Sequence, residues 1–180
     1  MSKIGKKNIL IPKESSIKID GGNLTISGPK GTKKLTINDK IFTSNLNESK
    51  FELKPLSKTV DKKTSIMWGT YRSLINNAIL GVSQGHEKIL ELNGVGFRAN
   101  IKGELLNLQI GFSHDVNFKI PKDIKITVEK QTLIKINGVD KEQVSKIAAD
   151  IKNLKPVEPY KAKGIKERGQ FVLRKEGKKK

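Results

Sequence analysis

The sequence predicts an α+β fold built from two similar modules, each a small, mostly antiparallel sheet covered by one helix, followed by a basic C-terminal extension. Three observations carry this expectation. Apolar residues alternate with period two over residues 9–53 and again over 89–136; each alternating stretch gives way to helical spacing, from Asp61 and from Asp140; and beyond Lys155 both patterns stop. The boundaries follow as 1–82, 83–155 and 156–180.

In the first module, the pairs Ile17 and Ile19, Leu24 and Ile26, Leu35 and Ile37, and Phe51 and Leu53 have the spacing of half-buried strands. Gly21-Gly22 reads as a hairpin turn, and Gly28-Pro29-Lys30-Gly31 as the next reversal. From Asp61 onward Met67, Tyr71, Leu74, Ile75, Ala78, Ile79 and Val82 fall on one helical face, with Gly81 and Gly85 weakening the helix and opening a connection.

The second module repeats the plan. Strands are expected at Ile89–Leu92, at Phe97, Ala99 and Ile101, at Leu106, Leu108 and Ile110, at Val116, Phe118 and Ile120, at Ile124, Ile126 and Val128, and at Ile134 and Ile136. Lys102-Gly103 is a turn. Asp140 and Gln143 stand in capping-box positions before a helix whose apolar face is Val144, Ile147, Ala148 and Ile151. Leu24-Thr25-Ile26 aligns with Leu108-Gln109-Ile110, Leu35 with Phe118, and the Asp61 helix with the Asp140 helix, which points to an internal duplication. All the periodic apolar positions precede Lys155, so a chain ended after Leu154 is expected to keep its cores.

Charge is the strongest compositional signal. Lys and Arg number 36 against 18 Asp and Glu, for a net charge of +18. The charge divides as +9, +3 and +6 over the three segments, which makes the 25-residue extension the densest. Such a field favours a polyanionic partner. Only Arg72, Arg98, Arg168 and Arg174 are arginines, so most phosphate contacts would be lysine point charges. No apolar stretch approaches the roughly 20 residues that cross a bilayer. The apolar segment Asn8–Pro12 is too short for a signal peptide. The absence of cysteine excludes a disulfide framework, a zinc ribbon and a thiol nucleophile.

Little in the sequence suggests catalysis. Gly94-Val95-Gly96-Phe97-Arg98-Ala99 has the spacing of a dinucleotide fingerprint, but alternation continues through Ile101 where that fingerprint needs a helix N-terminus, so the segment reads as a tight β-connection. Lys30-Gly31-Thr32 has its lysine on the wrong side for a phosphate loop. His86 and His114 lack a neighbouring histidine or metal-ligand spacing. Glu87 and Glu91 lie among cations, where salt bridging is the expected use. No nucleophile, base and orienter converge. The expectation is a non-enzyme without metal, cofactor or small-molecule substrate.

The extension differs in kind. Lys161, Lys163, Lys166 and Arg168 supply charge, Tyr160 can stack on a base or on protein, and Gly164 and Gly169 permit close approach of backbone to phosphate. Arg174, Lys175, Lys178, Lys179 and Lys180 extend the cationic run.

Val157-Glu158-Pro159-Tyr160-Lys161-Ala162-Lys163-Gly164-Ile165 resembles the tail Pro-Glu-Pro-Tyr-Lys-Gly-Lys-Gly-Ile of the bacterial-type sixth protein family of the large ribosomal subunit, with the first Pro and the middle Gly replaced. Ser2–Lys6, Gly28–Gly31, Asn76-Asn77 with Gly81-Val82, Gly94–Ala99, Gly111–His114 and Arg174–Lys179 extend the resemblance over nearly the whole chain. It implies a duplicated fold whose C-terminal module and tail bind large-subunit ribosomal RNA near the sarcin-ricin loop, beside neighbouring large-subunit and stalk-base proteins and the region visited by translational GTPases. It also implies that Gly94–Arg98 and Gly111–His114 are loops near RNA, with Gly94, Gly96, Phe97, Arg98, Ser113 and His114 as their contact residues. The implied location is the ribosome in the cytoplasm, a bacterial source being favoured and an organellar ribosome the alternative. A nucleoid-type protein is the rival among binding proteins. It would more often show a recognition helix rich in Arg, Asn and Gln, whereas both helices here look committed to covering sheets. An RNA-modifying enzyme would need a cofactor site or a converging acid/base set.

Overall fold

The computed structural model describes residues 2–47, 49–57 and 61–177, which form two compact units. The first comprises residues up to Gly85 together with Val139–Lys141; the second comprises His86–Gly138 and the chain from Glu142 onward. No helix is long and apolar enough to cross a membrane among the described residues.

In the first unit, β2 (Ser16–Asp20), β3 (Asn23–Gly28) and β4 (Gly31–Thr36) form an antiparallel meander with β3 in the middle. The turn at Gly21-Gly22 uses a left-handed Gly21, as a two-residue hairpin requires. A second sheet pairs β1 (Ile9–Leu10), β6 (Lys50–Pro55) and β5 (Phe42–Asn47), in that order. Helix α1 (Lys62–Ser83) covers the unit with Trp68, Ile75, Ala78, Ile79 and Val82. These side chains close a core with Ile9, Leu24, Ile26, Phe51 and Leu53. The Trp68 indole N–H donates to the Leu53 carbonyl (2.7 Å), so the largest aromatic is buried with its polar atom satisfied. Gly81 does not end the helix; it is buried within it, and the left-handed residue past the end is Gly85.

The second unit repeats this order. β8 (Arg98–Lys102), β9 (Leu105–Gln109) and β10 (Val116–Lys119) form the meander; β7 (His86–Asn93), β12 (Leu133–Gly138) and β11 (Ile124–Glu129) form the second sheet; and α2 (Lys141–Leu154) supplies Val144, Ile147, Ala148 and Ile151 to the core. Leu24 and Leu108 both sit on the middle strand of a meander, and Leu35 and Phe118 on its third strand. The duplication expected from the sequence is therefore visible strand by strand.

One element breaks the repeat. β13 (Gly164–Glu167) adds antiparallel to the outer edge of β7, pairing Ile165 with Leu92 and Lys166 with Glu91, so the sheet runs β11-β12-β7-β13. The expectation that core-forming positions end before Lys155 is overturned: Ile165 is fully buried in the second core. A four-residue strand contributing a single deep apolar side chain among lysines and glycines shows no measurable period, and its partner strand lies far upstream. The segment folds because it protects an edge whose backbone groups would otherwise stay unpaired.

Candidate nucleic-acid interface

Three stretches of the second unit carry the residues singled out from the sequence. The first joins β7 to β8. Gly96 is left-handed, and the Phe97 N–H donates to the Gly94 carbonyl (3.3 Å), which makes a tight turn with Val95 exposed at its tip. A strand follows rather than a helix, so the Gly-x-Gly spacing has no pyrophosphate cradle. Phe97 corrects the expectation that it contacts RNA: it is only 8% exposed and joins the hydrophobic core. A Cβ on Gly94 would lie 2.9 Å from its ring and one on Gly111 3.1 Å. Phe97 is thus the floor on which two glycine loops rest, and it cannot stack on a base.

The second stretch follows β9. Phe112 is half exposed and stacks on His114 (centroids 6.2 Å apart, planes 16°), and Lys155 Nζ lies 4.4 Å from the Phe112 centroid. Ser113 and His114 are exposed. Phe112 belongs to the Gly111–His114 motif but is not named there as a contact residue, and Lys155 joins it only through tertiary structure.

The third stretch is the extension, which is a closed loop rather than a free tail. Glu158 N–H donates to the Lys163 carbonyl (2.8 Å), Ile165 N–H to Lys155 (2.9 Å), Arg168 N–H to Ile89 (2.9 Å) and Lys175 N–H to Pro159 (3.0 Å). Gly164 also needs correction. It is buried, with φ of +142°, and a Cβ there would meet Val157 Cα at 2.6 Å and Pro156 O at 2.7 Å. Its missing side chain serves close approach of protein backbone to protein backbone, not to phosphate. Ala162, where the resembling tail has Gly, holds φ of +54°, so the left-handed turn persists with a methyl group on it.

Charge in the extension divides into two sets. Lys166 pairs with Glu91 (3.0 Å), and Glu167 lies between Lys88 (2.7 Å) and Lys152 (2.9 Å). Hydrogen bonds from Lys88, then from Lys152, hold the Glu167 carboxyl below its usual value, against the opposing effect of burial. These pairs fasten β13 to β7 and α2 and leave Lys166 committed to protein. Lys161, Lys163, Arg168, Arg174 and Lys175 are exposed, and none of the five joins an ion pair among the described residues.

Lys161, Ala162, Lys163 and Arg174 line an open cleft together with Asn93, Gly94 and Val95. The fold therefore gathers the β7–β8 turn and the cationic loop into one concave surface. Tyr160 is 54% exposed within the same loop. Ser113 and His114 form the separate Phe112 cluster, and Arg98 opens β8 on the outer side of its sheet. Lys178, Lys179 and Lys180 lie outside the described residues. Asn93 and Val95 are the cleft residues the sequence does not disclose, being uncharged and far from the extension in the chain.

Comparison with known proteins agrees with this architecture. The family model described as ribosomal protein L6 matches twice, over residues 11–85 and 93–168, one match in each repeat. The large ribosomal subunit protein uL6 of Novosphingobium aromaticivorans is 46% identical over 180 residues, spanning all of both chains. That of Staphylococcus epidermidis is 46% identical over 178 residues, 99% of this chain and 98% of the relative. The same protein of Beijerinckia indica is 44% identical over the full length of both. With the duplicated fold, both family matches and full-length relatives in accord, the chain belongs to the ribosomal protein L6 family.

Proposed function

We propose that the second unit is the RNA-gripping half of a structural protein of the large ribosomal subunit, binding large-subunit ribosomal RNA near the sarcin-ricin loop and stalk base. In this position it supports the region where translational GTPases dock, and neighbouring large-subunit proteins border it. The chain works by shape and charge, not by catalysis.

The observation that carries the reading is the cleft in which exposed Lys161, Lys163 and Arg174 face the Asn93–Val95 turn. Three exposed cations around a glycine turn present a concave, rigid surface to a phosphate backbone, and exposed Tyr160 beside them offers a ring to an unstacked base. Rigidity matters here because β13 is paired to β7 and tied by the Ile165 N–H to Lys155 and by Glu167 to Lys88 and Lys152, so little ordering entropy is lost when RNA binds. A DNA-coating role is disfavoured by the helices, whose apolar faces are buried in the two cores.

The test is titration of the chain against a large-subunit RNA fragment containing the sarcin-ricin loop, with the triple variant Lys161→Ala, Lys163→Ala, Arg174→Ala alongside. The variant should bind well over tenfold more weakly, and the slope of log affinity against log salt should fall by roughly 2 to 3, at about 0.7–0.9 for each phosphate no longer neutralised. Equal affinity and equal slope would refute the assignment.

A further inference from the structure

We infer that the outer edge of β5 is a docking edge, to which an extended segment of another large-subunit protein adds as a further strand. The inference goes beyond the RNA reading and concerns the first unit alone. β5 ends its sheet on one side, in the order β1-β6-β5. The Leu56 N–H donates to the Ile41 carbonyl (2.9 Å). In the same register Thr43, Asn45 and Asn47 direct their backbone groups to β6, so Ser44 and Leu46 direct theirs outward. The N–H and C=O of these two residues form a template for another strand.

Charge sets this edge apart. β2, β4, β8, β10, β11 and β13 also end sheets, and each carries at least one lysine or arginine, which discourages pairing with another chain. β1 carries none but is two residues long. β5 runs for six residues, Phe42-Thr43-Ser44-Asn45-Leu46-Asn47, without a charge or a proline. The duplication supplies an internal control. Aligned on the pairs that close their hairpins, Asn47 with Lys50 and Glu129 with Leu133, Asn47 stands where β11 has Glu129, and Thr43 where it has Lys125. The second unit blunts this edge with charge and the first does not.

An apolar shelf lies beside the edge. Phe42 is buried in the core, so Ser44 and Leu46 alternate onto the same face, and the Tyr71 ring of α1 meets Phe42 edge-on (centroids 5.5 Å apart). Met67 and Leu74, four residues before Tyr71 and three after it, share that side of the helix. Met67 and Tyr71 are only partly buried, Leu46 is 45% exposed and Leu74 42%. A strand added to β5 would cover these four with its own alternate side chains. That chemistry selects the occupant. RNA is disfavoured because the edge offers no cation to a phosphate, and a second copy because each chain carries +18. What fits is an extended protein segment, apolar at every second residue and without excess positive charge, held chiefly by main-chain hydrogen bonds.

The experiment compares hydrogen exchange, resolved by residue, in the free full-length chain and in assembled large subunits. The Ser44 and Leu46 amides should exchange at least about a hundredfold more slowly in the subunit, while Thr43, Asn45 and Asn47, already bonded to β6, change far less. A photoreactive group on Asn45→Cys, a unique thiol in this cysteine-free chain, should cross-link in subunits to one other protein. Leu46→Lys blocks the edge with a charge, and Ser44→Pro removes an outward donor. Both should keep the circular dichroism spectrum and bind the ribosomal RNA fragment within about twofold of the parent, yet each should lower the cross-link yield at least about fivefold. Unchanged exchange at Ser44 and Leu46 would overturn the inference, as would equal slowing across residues 43–47. So would cross-links that reach only RNA or a second copy of this chain, or a yield that neither edge variant lowers. The titration of the cleft is read on different residues, so either reading can fail without the other.

Discussion

Replacing Ile165 with Ala tests whether the extension is part of the fold. Ile165 is 0% exposed, paired with Leu92 across β13 and β7 and packed in the second core. Truncating a fully buried isoleucine to alanine costs about 3 kcal/mol, within the usual range of about 2–5 for such cavities. For a chain of this size each kcal/mol moves the midpoint by about 2–4 °C, so the variant should melt about 6–12 °C below the parent. Ending the chain after Leu154 should cost more, because it also uncovers the β7 edge and leaves Lys88 and Lys152 without Glu167. The matched control is Phe171→Ala in the same extension, where an 84% exposed ring should cost under about 0.5 kcal/mol. Thermal melts followed by circular dichroism, with urea titrations for the free energies, decide the matter. If Ile165→Ala and the shortened chain both melt within about 2 °C of the parent, β13 contributes nothing to stability and the extension is a solvated appendage after all.

Further outcomes follow from the same geometry. Gly164→Ala should destabilise by at least about 2 kcal/mol, since it adds a methyl at positive φ against Pro156 and Val157, measured by the same urea titration. Glu167 has a folded-state pKa below its usual 4.5, so its contribution to stability is complete above that value and lost as pH falls through the lowered one. Glu167→Gln should therefore flatten the acid limb of the stability profile below pH 4.5 while lowering stability modestly at neutral pH. A fragment beginning at His86 should melt cooperatively and keep most of the affinity for ribosomal RNA, because the second core draws its buried side chains only from Leu90 to Ile165. A non-cooperative melt would show that this unit depends on the first.

What the sequence discloses depends on how local the physics is. Leu24 and Ile26, or Ile75 and Ile79, advertise their burial because each element repeats it at its own period. β5 is hidden because only Phe42 in it is buried, so Thr43 to Asn47 show no alternation. β13 is hidden because one isoleucine is not a pattern. Phe97 reads with its neighbouring glycines as a loop facing RNA, although it alternates correctly with Ala99 and faces inward. Likewise the charge of Lys161 and Lys163 is legible as local density, whereas their meeting with Asn93 and Val95 is not, since nothing in either segment names the other. Asn100, Asn107 and Asn117 are intermediate: plain in the sequence, they are brought level only by the register of three strands.

The placement of β13 also bears on how the chain matures. β7 opens the second unit, yet one of its edges waits for a strand that follows every other strand in the described chain. During synthesis the sheets and helix of the first unit can form early, with Val139–Lys141 joining them later, while the second unit carries an open edge until residues 164–167 have emerged. The loop bearing Lys161 and Lys163 is tied down by that same late event, since Ile165 and Arg168 donate to Lys155 and Ile89. An interrupted or prematurely ended chain would thus display a sticky strand and no finished cleft, which sets it apart from complete protein before it can enter an assembly.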